Sequence, residues 1–233
     1  MTIAEMHRAF KLELDKSSAL ELPSFEPEEI DFWLNLAIRN FVKTRFRGKQ
    51  DGVGFEEISK RTMDLSNLVH EASLSVSADP IKDNSFVADL TDLLQELWFI
   101  VGEEADIQYK KLGEQTDTIK RQGVTQCTSS TYRYHIDDPY SEHRLHYEEA
   151  KPLRLVYQRT VELIADENYN VINYYVRYIK KPLEVLNSGI DSVNCDLPEH
   201  THDEIVKSAV NMVLENIEQP RYQSHTVELN KVE

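Results

Sequence analysis

Apolar residues recur along this chain with two different periods, and the change of period outlines the fold. Over Thr2–Leu14, Ile3, Met6, Phe10 and Leu14 share one helical face, and Thr2 with Glu5 has the form of a capping box. Over Pro27–Phe46, Ile30, Trp33, Leu34, Ala37, Ile38, Phe41 and Val42 form a wide apolar face. Pro27 suits the first turn. Glu28, Glu29 and Asp31 sit at the positive end of that helix, Lys43, Arg45 and Arg47 at the negative end, and Gly48 suits the position just past it. Phe55, Ile58, Thr62, Leu65 and Val69 predict a third helix. Short connections favour antiparallel neighbours, so these helices are expected to form a small bundle.

The pattern then weakens. Ser73–Ser85 is polar, contains Pro80 and reads as a loop. Leu90–Leu97 suits one or two helical turns, Trp98–Val101 a strand, and Val124–Tyr134 an edge strand. Period two takes over next. Leu153, Leu155, Tyr157, Val161 and Leu163 alternate, with Arg159 as the one break. Ile172, Tyr174, Val176 and Tyr178 do the same on the other parity. Asp166–Asn170 is a polar turn between them, so 153–181 predicts a β-hairpin ended by Pro182. Thr201 and Glu204 form a second capping-box signature. Behind it Ile205, Val206, Ala209, Val210, Val213, Leu214 and Ile217 predict a final helix closed by Pro220.

The expected fold class is therefore α+β. An N-terminal helical bundle is completed by the C-terminal helix, with a β-rich insertion containing an antiparallel hairpin. The expected divisions are 1–72 for the helical part, 73–195 for the β-rich insertion, 196–219 for the returning helix and 220–233 for a polar tail.

Composition narrows the function. The chain has 233 residues, 40% hydrophobic and 29% charged, which suits a globular protein with a sizeable core. It has no apolar run of membrane-spanning length and no signal-peptide pattern at Met1–Glu5. Two cysteines, Cys127 and Cys195, read as thiols rather than a disulfide framework. A net charge of −15 disfavours tight nucleic-acid binding, which rests on basic residues that displace counterions. The 7 glycines build no phosphate-cradling loop.

Candidate chemistry is sparse. His135, Asp137, Asp138, His143 and His146 are metal-ligand types crowded into one stretch, but without a ligand-spacing signature, and Pro139 interrupts them. Cys195, His200 and His202 could form a thiol–imidazole pair near a helix start, with no family signature around them. The acid pairs Glu28–Glu29, Glu56–Glu57 and Glu148–Glu149 are adjacent in sequence, so on a helix they do not share a face; caps and solvated surface are the simpler reading. Tyr169, Tyr174, Tyr175 and Tyr178 offer stacking faces, yet the parity of Tyr174 and Tyr178 with Ile172 and Val176 favours packing. The residues assign no catalytic, cofactor-binding or metal position and point to a non-enzymatic protein with polar contact surfaces.

Five segments taken in order carry a resemblance: EEIDFWLNLAIRNFVKTRF at 28–46, FEEISKRTMDLSNLV at 55–69, Asp138-Pro139-Tyr140, YVRYIKKPLEV at 175–185 and DLPEHTHDEIVKSAV at 196–210. Together they resemble the head-to-tail connector, or ring, proteins of tailed bacteriophages, especially the crAss-like podoviruses. The resemblance implies a structural virion protein without cofactors. It implies a homo-oligomeric, typically twelve-fold ring below the portal protein, joined to neighbouring ring or tail proteins. Phage DNA would pass through the lumen without specific binding. The place implied is the head–tail junction of the virion, after assembly in the host bacterial cytoplasm, with no membrane. A head-completion or tail-stopper subunit is the alternative within the same plan. A small metal or thiol protein using the 135–146 loop or Cys195 is the alternative outside it.

Overall fold

A computed structural model describes residues 1–17, 24–47, 59–80, 82–113, 115–157, 159–189 and 191–216. It divides into two compact units, Met1–Leu68 with Pro182–Glu233, and Val69–Lys181.

In the first unit, helix α1 spans Ile3–Ser17 and α2 spans Pro27–Arg47. The Thr2 capping box forms: the Thr2 N–H donates to Glu5 Oε2 at 2.7 Å, and the Glu5 N–H donates to Thr2 Oγ1 at 3.3 Å. A similar return bond runs from the Glu26 N–H to Glu29 Oε2 at 3.0 Å at the start of α2. The apolar faces read from the sequence turn inward. Ile3, Met6, Phe10 and Leu14 of α1 are buried, as are Ile30, Leu34, Ala37, Ile38, Phe41 and Val42 of α2, while Trp33 is half-buried. Each fully buried Val, Leu, Ile, Phe or Met among them contributes about 1.5–3 kcal/mol by leaving water.

The last helix of the described chain, α5 (His202–Asn216), packs against both α1 and α2 through Ile205, Val206, Ala209, Val210, Val213 and Leu214. The bundle is thus completed by the C-terminal helix. Ile217 and Pro220 lie outside the described residues, as do Gly48, Phe55 and Ile58.

Two expectations in this unit are corrected. The third helix is short: α3 is Ser59–Asp64, a 3-10 turn follows at Ser66–Leu68, and Val69 already begins a strand. The Thr201 capping box does not form. Its hydroxyl donates to the Pro198 carbonyl at 2.8 Å, the segment Glu199–Thr201 is 3-10, and Glu204 accepts from Arg45 instead.

The second unit is built from β1 (Val69–Ala78), β2 (Ser85–Asp89), β3 (Leu97–Tyr109), β4 (Thr118–Gly123), β5 (Thr125–Gln126), β6 (Leu153–Val156), β7 (Thr160–Ile164) and β8 (Tyr169–Lys180), with the short helix α4 (Tyr132–Asp137) between β5 and β6. The strand order is β4-β3-β8-β1-β2-β7-β6-β5. Every pairing is antiparallel except β5 with β6.

Two segments serve both halves of the sheet. Val69–Ser75 of β1 pairs with β8, while Val76–Ala78 pairs with β2. Only Val124 separates β4, which pairs with β3, from β5, which pairs with β6. Strands that switch partners in this way make the corners of a sheet folded back on itself. Ile107, Val161, Leu163, Val171, Tyr174 and Val176 fill the resulting core.

The predicted hairpin is corrected in its partners. An antiparallel hairpin is present, but it joins β6 to β7, both inside the single run expected over 153–165. Its turn falls at the break marked by Arg159, where the Tyr157 N–H donates to the Thr160 carbonyl at 2.8 Å. The Asp166–Asn168 turn leads across the fold instead, because β8 pairs with β1 and β3 and not with β7. Ser73–Ser85 is only partly a loop, since β1 runs on to Ala78 and β2 begins at Ser85: Ala72, Leu74 and Val76 alternate with exposed Ser73, Ser75 and Ser77. The strand begun at Trp98 runs to Tyr109, with register shifts that let it bend. The expected edge strand over 124–134 is only β5, followed by α4.

Candidate assembly surfaces and buried polar networks

The polar groups that sequence singled out are dispersed. His143 is buried, its Nδ1 lies 2.9 Å from Ser141 Oγ, and burial holds its imidazole below the ordinary pKa. His146 lies against the Tyr147 ring and is exposed, as are Asp137 and Asp138; Asp138 Oδ1 accepts from the Tyr140 N–H at 2.9 Å. Among the described residues no group of three His, Cys, Asp or Glu side chains is arranged to hold a metal ion. Cys195 is half-buried, and burial pushes its thiol up to about 11, the opposite of nucleophile activation. The neighbouring imidazoles have other partners. His200 Nε2 is 2.9 Å from Asp64 Oδ1, and His202 Nε2 is 3.0 Å from the Leu197 carbonyl.

Tyr169, Tyr174 and Tyr178 are core residues, and desolvation raises all three phenols above their ordinary pKa. Tyr175 faces outward. The Arg121 guanidinium lies 3.6 Å from its ring centre, and its hydroxyl donates to Asp106 at 2.8 Å. Glu28, Glu29, Glu148 and Glu149 are exposed, and Glu56 and Glu57 lie outside the described residues.

Charges that sequence reading assigned to helix ends are instead buried ties between elements. Asp31 Oδ1 is 2.7 Å from His7 Nε2, and its other oxygen accepts from the Asn187 N–H at 3.0 Å; the Asn187 amide lies 3.2 Å from His7 Nδ1. This joins α1, α2 and the segment after Pro182. Arg45 binds Asp64 at 2.9 Å and Glu204 at 2.5 Å, joining α2, α3 and α5, and stacks over Phe41.

In the second unit Arg154 of β6 grips Glu103 of β3 with two donors, Tyr174 donates to the same carboxylate, and Gln126 approaches at 3.2 Å. Glu162 accepts from Lys82 at 2.8 Å, Ser85 at 2.7 Å and Tyr157 at 2.8 Å. No local period reports such pairs. Asp31 and Arg45 could be suspected only because each falls on the buried arc of α2.

The surface carries the remaining signal. On the first unit Leu12, Phe32, Leu183 and Leu186 are large apolar side chains left in water. On the second, Tyr134 and Tyr140 are almost fully exposed on the excursion between β5 and β6, beside an open recess lined by Ser129, Arg133, Tyr134 and Asp138. Aromatic residues in such positions are enriched at protein contacts. Helical spacing had already left Leu12 and Phe32 off the apolar faces of α1 and α2; it made no such separation for Leu183, Leu186, Tyr134 or Tyr140.

Buried charges used to tie elements together, with aromatic side chains kept on the outside, fit a structural protein that works by assembly, and comparison with known proteins defines that class as the structural ring proteins of tailed phages. The chain belongs to the phage tail ring protein 3/4 family, whose model matches residues 1–223. It is 25% identical over 230 residues to ring protein 4/5 of Bacteroides phage crAss001, covering 91% of this chain and 92% of that one. This agrees with the resemblance read from the ordered sequence segments.

Proposed function

We propose that the chain assembles into a homo-oligomeric ring, twelve-fold, in the head-to-tail connector of a crAss-like phage. The ring extends the DNA channel below the portal and joins capsid to tail. The helical unit packs side by side around the ring, and the β-rich unit reaches the neighbouring ring or tail protein. The observation that carries this reading is the family match along nearly the whole chain. The exposed apolar side chains on both units and the net charge of −15 support it. An acidic ring neutralises few phosphates, so DNA slides through without being held. The role places the protein at the head–tail junction of the virion.

The test is native mass spectrometry with negative-stain imaging of the purified chain, alone and with its portal protein. A closed ring, or a monomer that closes on the portal, supports the connector role. A chain that stays monomeric or dimeric with the portal present overturns it.

A further inference from the structure

The outward side of α2 is graded along its length. Phe32, Leu36, Arg39, Lys43 and Arg47 follow at steps of four, three, four and four residues, which keeps them on one stripe of the helix. That stripe lies opposite the arc formed by Ile30, Leu34, Ala37, Ile38 and Phe41, which is buried. Its first half is apolar. Phe32 is 55% exposed and holds the half-buried Trp33 edge-on at 5.3 Å between ring centres. The segment after Pro182 borders the stripe, held by the paired hydrogen bonds of Asn35 with Val185, and adds exposed Leu183 and Leu186. The second half is basic. Lys43 and Arg47 are exposed, and Arg39 reaches Glu184 at only 3.7 Å.

We infer that this stripe is one half of the contact between neighbouring copies of the chain in the ring; the inference rests on the ring reading above. One requirement of the proposed ring and one observation choose a second copy as the occupant. A head-to-tail ring needs a surface that docks on a different surface of the next subunit, not on itself. A basic stripe is also unlike the rest of a chain whose net charge is −15, so another copy offers it mostly acidic partners. Nucleic acid would use the cations but not Phe32, Leu36, Leu183 and Leu186.

The experiment uses the full chain. Phe32→Asp and, separately, the pair Lys43→Glu with Arg47→Glu are assembled with the portal and sized by native mass spectrometry. In parallel, a benzophenone amino acid at position 32 is photo-crosslinked within assembled tails. The expected result is loss of the ring in both variants with unchanged circular dichroism, and crosslinks from position 32 to peptides of this same chain. Intact rings in both variants, or crosslinks landing on another tail protein or on DNA, overturn the inference while leaving the ring reading in place. A wild-type chain that never forms a ring overturns both.

Discussion

Replacing Arg154 with Met removes the cation from a buried pair and keeps most of the volume. The Glu103 side chain is 2% exposed and that of Arg154 13%. Arg154 Nε donates to Glu103 Oε1 at 2.7 Å and a second guanidinium nitrogen donates to Oε2. Without it the carboxylate keeps the Tyr174 hydroxyl and the Gln126 amide at 3.2 Å, both neutral donors.

Breaking a buried pair from one side costs about 3–5 kcal/mol, because a charge stays desolvated without its partner. For a chain of this size about 1 kcal/mol moves Tm by roughly 2–4 °C, so Arg154→Met lowers Tm by roughly 6–20 °C. The assay exploits the two tryptophans. Trp33 lies on α2 and Trp98 on β3, one in each unit. Trp98 fluorescence in a Trp33→Phe background reports the β-rich unit, and its transition should move. Adding Glu103→Gln to Arg154→Met should recover part of the loss, because a neutral amide still accepts from Tyr174. A loss below about 1 kcal/mol for Arg154→Met would refute the reasoning, since that is the scale of a solvated surface pair.

Three further outcomes are expected. Burial raises the Glu162 carboxyl, but hydrogen bonds from Lys82, Ser85 and Tyr157 outweigh it and leave its pKa lowered. Its stabilisation is then present above the ordinary glutamate value and is lost as pH falls through the depressed one, so the urea-unfolding gap between wild type and Glu162→Gln should close in acid; a constant gap from pH 7 to 3 counts against it. Asp31→Ala strands His7 and the Asn187 N–H and should cost about 1–3 kcal/mol, read by Trp33 fluorescence in a Trp98→Phe background. With its thiol pushed up to about 11, Cys195 should be alkylated slowly at neutral pH and about tenfold faster per pH unit on the way up; fast labelling at pH 7 contradicts the burial seen here.

The helices were legible because their signals are local. Capping box, acidic first turn and an apolar arc repeat within a few residues of one another in α1 and α2, and the structure returns them nearly residue for residue. The exception is instructive: at Thr201 the cap signature is present, but Arg45, distant in sequence, takes the glutamate. In β1 the alternation of Ala72, Leu74 and Val76 was in the sequence but diluted by serines, so one face looked like a loop. The Arg159 break was read as an irregularity in one strand, yet it is a turn between two.

What the sequence alone determined is the α+β class, the three principal helices with their buried faces, and membership among phage ring proteins through the order of its motifs. What only the tertiary structure decided is which strands pair, which charges are buried and which apolar residues beyond the helices stay outside. Strand pairing is non-local: β7 and β8 are neighbours in the chain, but β8 finds Val69–Ser75 and Leu97–Tyr109, where its inward tyrosines meet a core and Tyr174 meets Glu103. Period fixes which side of an element is apolar. It does not choose the partner, because that choice depends on burial and hydrogen bonds contributed by residues far away in sequence.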